Sequence, residues 1–217
     1  VFDTEEGVLD GLKELMKAMP AYDPKFFRVA APKEPRFDPG EIDYLIPFNQ
    51  KMAYSFDEVL ARLTDNSEHM EFRPDYGPEV YTGLVKINGL LMGAIGNRQG
   101  FLPKGYPEYA PYQGIGGKLY RQGLIKMNEF VTLCGRDRVP IIWFQDTTGI
   151  DVGDYAEKAE LLGLGQSLIY SIEQTDVPMI LVVLRKGTAA APHILGGPTA
   201  NNHDAFTLGT PPTDICA

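Results

Sequence analysis

Two short runs constrain this chain more than anything else in it: Ile141-Ile142-Trp143-Phe144 and Met179 to Leu184 are apolar without interruption. A strand that alternates polar and apolar residues can leave one face in water, whereas a strand apolar at every position must be covered on both. Pro140 and Pro178 introduce the two runs, and a stretch with helical character precedes each. Leu119 to Arg136 carries Leu119, Leu124, Met127, Phe130, Val131 and Cys134 at helical spacing, and Lys158 to Glu173 reads as a second helix. Helix, strand, helix and strand in that order predict an α/β domain.

Upstream, Val80 to Ile87 and Leu90 to Asn97 are β-prone runs separated by Asn88-Gly89. That pair tolerates the positive φ angles of a two-residue turn, so a hairpin is expected there. Ser55 to Leu63 reads as a short helix with Asp57-Glu58 in its first turn, followed by a turn at Asp65-Asn66-Ser67. Residues 1–47 have a different texture. Val8, Leu9, Leu12, Leu15, Met16 and Met19 predict an amphipathic helix between Thr4 and Pro20, expected to pack its apolar stripe on a neighbour. A connector containing Pro24, Pro32, Pro35, Pro39 and Pro47 follows, so the expected organisation is a helix and linker over 1–47 and a domain over 48–217.

With 217 residues, 44% of them hydrophobic, the chain can bury one sizeable core. Twenty Lys and Arg against twenty-nine Asp and Glu give a net charge of -9, which repels nucleic acid and anionic membranes. No apolar run approaches the ~20 residues of a membrane-spanning helix, and no leader pattern opens the chain, so a soluble, unexported protein is expected. Cys134 and Cys216 have neither zinc-site nor disulfide-framework spacing, which fits a reducing, cytoplasmic setting and no metal. The chain starts at Val1 and stops at Ala217 with no terminal cap, as expected of an internal piece.

The residues that could carry chemistry follow the two apolar strands, because ligands in α/β sheets gather at strand carboxyl ends. The first segment, Gln145 to Gly153, contains two glycines that let backbone approach a ligand closely; a capped strand-to-helix connection would look the same. The second, read as a loop, is Arg185-Lys186-Gly187-Thr188-Ala189-Ala190-Ala191-Pro192-His193. Tiny side chains ahead of a helix start leave several N–H groups facing one point, an oxyanion-hole arrangement; close helix packing also selects alanines. Glu157 and Glu160 could share one helix face as paired carboxylates or be solvated charges. His193 could move protons near neutral pH, His69 and His203 lack ligand spacing, and Gly114 to Lys118 matches neither phosphate-binding fingerprint.

Asp65-Asn66-Ser67-Glu68, the Gly83 to Gly96 hairpin, Gln145 to Gly153 and Arg185 to Ala191 occur in an order that resembles the biotin-dependent acyl-CoA carboxyltransferases. Gly114-Ile115-Gly116-Gly117-Lys118-Leu119-Tyr120-Arg121, Gly163-Leu164-Gly165-Gln166 and Leu195-Gly196-Gly197-Pro198 are similar to its glutaconyl-CoA decarboxylase branch. The resemblance implies a crotonase-like spiral of ββα units, here an incomplete C-terminal carboxyltransferase domain joined to a linker. It implies an active site between the acyl-CoA-holding N-terminal domain of one subunit and the biotin-holding C-terminal domain of its dimer mate. The carboxyl group of glutaconyl-CoA would pass to biotin on a carrier protein, leaving crotonyl-CoA, in a complex with a sodium-pumping membrane subunit at the inner membrane face.

By the same resemblance, the backbone N–H groups of Ala190 and Ala191 would hold the ureido oxygen of biotin. Gly187, Thr188 and Ala189 would shape the pocket, and Gly149 and Ile150 its opposite wall. Alanines where carboxylases more often have glycines, and the long Gly100 to Gly117 insertion, favour the decarboxylase branch over methylcrotonyl- or propionyl-CoA carboxylases. Pro211-Pro212 departs from the family pattern, and without an N-terminal domain this stretch alone would be inactive. A non-catalytic interaction module is the reading from another class; a hydratase would need two convergent carboxylates.

Overall fold

Ser55 is a good place to see local sequence becoming structure: its hydroxyl accepts from the Glu58 N–H, and a helix starts at the next residue. The computed structural model describes residues 2–188, 191–196 and 205–216. The elements before that cap are helix α1 (Glu5–Ala18), strands β1 (Tyr22–Asp23) and β2 (Phe27–Arg28), and helix α2 (Ile42–Leu45). The capped helix is α3 (Phe56–Leu63), and β3 (His69–Glu71), β4 (Val80–Ile87) and β5 (Leu90–Asn97) follow it. Asn88 and Gly89 both take positive φ, 50° and 81°, as the hairpin between β4 and β5 requires.

Helix α4 (Arg121–Asp137) then leads to β6 (Ile141–Thr147), and α5 (Asp154–Lys158) and α6 (Leu161–Glu173) lead to β7 (Met179–Thr188). The last elements are α7 (Ala191–Ile194), β8 (Ala205–Gly209) and β9 (Asp214–Cys216). One sheet runs β3-β4-β5-β6-β7-β8, with β9 also paired to β7. It is antiparallel through the β4–β5 hairpin and parallel from β5 onward. Both apolar strands are covered on two faces. Ile141, Trp143, Leu181 and Val183 pack with Leu124, Met127 and Phe130 of α4 and Leu168 and Ile172 of α6. Ile142, Phe144 and Leu184 pack with Phe56, Val59 and Leu60 of α3 on the other side.

Several expectations change in the folded chain. The helix expected over 158–173 forms but begins later, at Leu161, because Glu160 turns left-handed (φ 60°) and separates it from α5. Glu157 and Glu160 therefore sit on either side of a kink rather than on one helical face. The two strands run further than their apolar runs, to Thr147 and Thr188, so Arg185 to Thr188 is strand rather than loop: Lys186, Gly187 and Thr188 pair with Asp214, Ile215 and Cys216. Helix α1 forms, but none of its residues is buried, and Leu12 and Met16 are 53% and 65% exposed. Of the expected apolar stripe only Met19, just past the helix, packs against the core; the helix itself rests on its Thr4 cap and on local pairs such as Lys13 with Asp10.

The turn at Asp65-Asn66-Ser67 binds the proline-rich connector to the sheet. The buried Asp65 carboxylate accepts from the Gly89 N–H at 2.9 Å and the Lys33 N–H at 3.2 Å. Nearby, the Ala30 N–H donates to the Gly89 carbonyl and the Arg36 N–H to the Ser67 hydroxyl. Removing a buried acceptor leaves its donors desolvated and unpaired. Asp65→Ala is therefore expected to lower unfolding free energy in urea by about 2–3 kcal/mol, the cost of such orphaned donors.

Candidate functional site

The two segments expected to carry chemistry meet at the carboxyl ends of β6 and β7, where an irregularity sets their relative position. Gln145 pairs with Val183 and Thr147 with Gly187, so β7 spends extra residues opposite Asp146. A bulge of this kind re-aims side chains, and here it turns Arg185 onto Asp146. Both are sealed from water, at 1% and 0% exposure. Arg185 Nε and Nη2 each lie 3.0 Å from Asp146 Oδ2, and the other carboxylate oxygen accepts the Lys186 N–H at 3.1 Å. Arg185 Nη1 donates to the Met52 carbonyl at 2.7 Å and the guanidinium lies over the Tyr54 ring, tying the segment before α3 to the strand ends. Asp146 in turn donates its N–H to Asn97 Oδ1, and its carbonyl accepts from Gln99 Nε2.

Downstream of Asp146 the chain is fixed by the Gly100 to Gly117 insertion. Thr147 Oγ1 and the Thr148 N–H both donate to the Gly117 carbonyl at 2.8 Å, and the Gly149 N–H donates to Thr147 Oγ1 at 3.0 Å. Leu119 and Ile150 form a parallel bridge, with Leu119 N–H donating to the Gly149 carbonyl and Asp151 N–H to the Leu119 carbonyl. Gly149 has φ 102°, a conformation side chains disfavour. The Ile150 side chain packs over α6, where a Cβ on Gly165 would come within 2.7 Å of it.

Asp151 is the centre of this latch. It is buried and accepts from Tyr109 at 3.0 Å, from Tyr112 in a very short bond, and from Lys118 at 3.0 Å. Burial alone would raise the Asp151 carboxyl, but the bonds from Tyr112, Lys118 and Tyr109 outweigh it and hold it below the ordinary range. Tyr112 is pushed up to about 12, by burial first and then by its bond to Asp151.

Of the residues singled out from sequence, Gly149, Ile150, Gly187 and Thr188 are brought into the neighbourhood of the Thr147–Gly187 pairing. Ala191 opens α7, while Ala189 and Ala190 lie outside the described residues. His193 is exposed on α7, and His203 is outside the described residues. His69 is exposed and bonded to the Tyr81 hydroxyl at 3.1 Å. Gly116 N–H donates to the Gly100 carbonyl, so the glycines before α4 close the insertion on itself. Among the described residues no group of His, Cys, Asp and Glu could hold a metal ion, and no helix is long and apolar enough to cross a membrane.

Sequence reasoning missed the Arg185–Asp146 pair, the Asp151 latch and a buried carboxylate at Glu79. The signal for the first was a charge at the end of each apolar strand. Glu79 is raised by burial, and its oxygens are taken by the Tyr106 hydroxyl at 2.7 Å and the Tyr120 N–H at 3.1 Å, so it braces the start of α4.

This chain matches the carboxyl transferase domain over residues 1–216. It belongs to the carboxyl transferase family. Glutaconyl-CoA decarboxylase subunit alpha of Acidaminococcus fermentans is 59% identical over 99% of the chain, which spans 37% of that relative's length. The methylcrotonoyl-CoA carboxylase beta chain of Arabidopsis thaliana is 27% identical over 76% of the chain and 25% of its own length. Among solved structures, a transcarboxylase 12S crystal structure with hydrolysed methylmalonyl-coenzyme A superposes with a TM-score of 0.81 at 21% identity, over 99% of this chain and 40% of that one. The P. aeruginosa geranyl-CoA carboxylase beta subunit gives 0.74 at 22% identity, over 97% and 36%. The shared architecture is the crotonase-like α/β fold.

Breaking a buried ion pair from one side strands the other charge and costs about 3–5 kcal/mol. Arg185→Ala is expected to lose that much stability by denaturant unfolding, and the double variant Arg185→Met with Asp146→Leu less. A carboxyl held low contributes stability above its unfolded pKa and loses it as pH falls through its folded value. The Asp151 latch should therefore stay closed from neutral pH to about pH 5 and open only below the ordinary Asp value near 4. Limited proteolysis within 100–117 checks this: cleavage should be flat across that range in wild type and raised at neutral pH in Asp151→Ala.

Proposed function

We propose that this chain supplies the biotin-side half of the active site of a carboxyltransferase that moves the carboxyl group of glutaconyl-CoA to biotin on a carrier protein, leaving crotonyl-CoA. The observation that carries this reading is the 59% identity to glutaconyl-CoA decarboxylase subunit alpha across 99% of the chain, against 27% to the methylcrotonoyl-CoA carboxylase beta chain. The linker over 1–47 and the domain over 48–217 are part of the same proposal. So are a homodimer in which the mate's N-terminal domain holds the acyl-CoA, a sodium-pumping membrane subunit, and a cytoplasmic place against the membrane.

The residues present fit a cyclic urea. Gly149 and Gly187 put glycines just past and at the ends of β6 and β7, and a buried carboxamide, that of Gln145, lies against Gly187 with no hydrogen-bond partner among the described residues. Biotin would supply the ureido nitrogen that takes up the carboxyl group. The chain's own part is to bind and orient: the Ala190 and Ala191 N–H groups donate to the ureido oxygen, while Gly187, Thr188 and Ala189 shape the pocket. Gly149 and Ile150 form the opposite wall, in a segment held by the Gly117 carbonyl and by the Leu119 amide and carbonyl. Such donors are fixed by the fold before reaction, so they stabilise developing negative charge without reorganising. Shielding from water keeps the transferred carboxyl group from being lost.

Because the proposed donors are backbone groups, a larger side chain should harm more than the loss of a functional one. Ala190→Val in the full-length protein is expected to lower biotin-dependent consumption of glutaconyl-CoA about 100-fold, the usual scale for losing an oxyanion donor. Carboxylation of another acyl-CoA with no turnover of glutaconyl-CoA would shift the reading to a carboxylase; neither activity in a folded protein would favour an interaction module.

A further inference from the structure

Trp143 and Gln145 are two residues apart on β6 and so point to the same face. Each carries a buried polar group left unsatisfied: among the described residues the Trp143 indole N–H and both polar ends of the Gln145 carboxamide have no hydrogen-bond partner. Gln145 is 0% exposed. Its neighbour Asp146 points to the opposite face with both carboxylate oxygens bonded, and Asn97 and Thr147 are bonded too. Buried side-chain amides are nearly always paired, because leaving one dry and unbonded forfeits its hydration. Gln145 has both ends of its side chain unbonded at a strand end where Asp146, Asn97 and Thr147 are satisfied.

Its position is specific. The flat amide lies on Gly187, so a Cβ at 187 would come within 3.1 Å of Nε2, 3.3 Å of Cδ and 3.4 Å of Oε1. Residue 187 is thus held to glycine by the Gln145 amide as well as by any ligand. The orphaned group also sits directly against a residue of the proposed biotin pocket. A carboxamide presents a donor beside an acceptor, and so does a cyclic urea, so the two pair edge to edge through two parallel hydrogen bonds. A carboxylate or a thioester offers only acceptors and would satisfy half of the group.

We infer that Gln145 is a binding residue for the ureido ring of biotin; this rests on the reading given under Proposed function. Its Nε2–H donates to the ureido oxygen, and its Oε1 accepts from the ring N–H that takes no part in carboxyl transfer. The backbone donors hold the oxygen, and Gln145 fixes which way round the ring lies, which leaves the reacting nitrogen free.

The test is Gln145→Met in the full-length protein, with Gln145→Leu as a second apolar replacement, measuring binding of free biotin by saturation-transfer NMR alongside steady-state kinetics. Losing these hydrogen bonds should weaken biotin binding and raise its KM about tenfold. The glutaconyl-CoA KM should stay within about twofold, and the melting temperature should hold or rise, because the variant removes an unpaired buried polar group rather than a bond. Unchanged biotin binding overturns the inference, since the amide would then be satisfied by water or by nothing. A lower melting temperature with both KM values raised overturns it too, in favour of a structural role. A wild type that binds biotin yet ignores glutaconyl-CoA removes the substrate assignment and leaves the binding comparison to decide Gln145. One that consumes glutaconyl-CoA with a biotin KM indifferent to residue 145 keeps the function and rejects the inference.

Discussion

A guanidinium and a carboxylate, both shut off from water, join the ends of the two central strands, and the geometry of the site depends on that pair. Arg185 and Asp146 are not there because ion pairs are intrinsically stabilising; a well-packed apolar pair of the same volume often does as well. What they add is a condition on register. The guanidinium reaches Asp146 only because the β6–β7 pairing shifts between Gln145 and Thr147, and slipping back would leave two charges buried without partners. That shift sets Gly187 opposite Thr147 and so brings the ends of the two strands together. Through the Met52 carbonyl and the Tyr54 ring the same guanidinium fixes the approach to α3, so one residue coordinates three pieces of chain.

The insertion between β5 and α4 does for the loop after β6 what Arg185 does for the strand. Its glycines hydrogen-bond back on one another, the Gly117 carbonyl collects Thr147 and Thr148, and Tyr109, Tyr112 and Lys118 converge on Asp151. The loop after β6, with two glycines, packs on the core chiefly through Ile150. Here a second segment takes up its backbone hydrogen bonds, and a preorganised backbone is what a site built from N–H donors needs. Charge is handled in the same economical way: at Asp151, Asp146 and Glu79 the buried carboxylates are each taken up by fixed donors, leaving the strand ends free of stray negative charge.

Much of this was legible in advance. The Asn88-Gly89 hairpin and the two strands covered on both faces rest on local rules, a turn that accepts positive φ and an apolar run that must be buried, while the family resemblance rests on the order of its motifs. The errors share a cause. Glu160 looks helical from spacing, yet the chain kinks there, and Arg185 to Thr188 reads as loop by composition yet is drawn into the sheet by pairing with β9. Gly187 and Thr188 have small or polar side chains with no strand pattern, and only a partner strand distant in sequence could make them extended.

The sequence by itself determined the class of fold, the positions of the hairpin and the main helices, and which segments end at the strand carboxyl termini, because each follows from periodicity and turn chemistry within a few residues. Tertiary structure alone decided that Arg185 meets Asp146, that a remote segment latches the loop at Asp151, and that the Gln145 amide is buried against Gly187 with no partner among the described residues. These are meetings between residues some 40 positions apart in sequence, such as Arg185 with Asp146. No local propensity encodes them; they exist only once strand register and crossover connections have fixed which distant side chains share a dry interior.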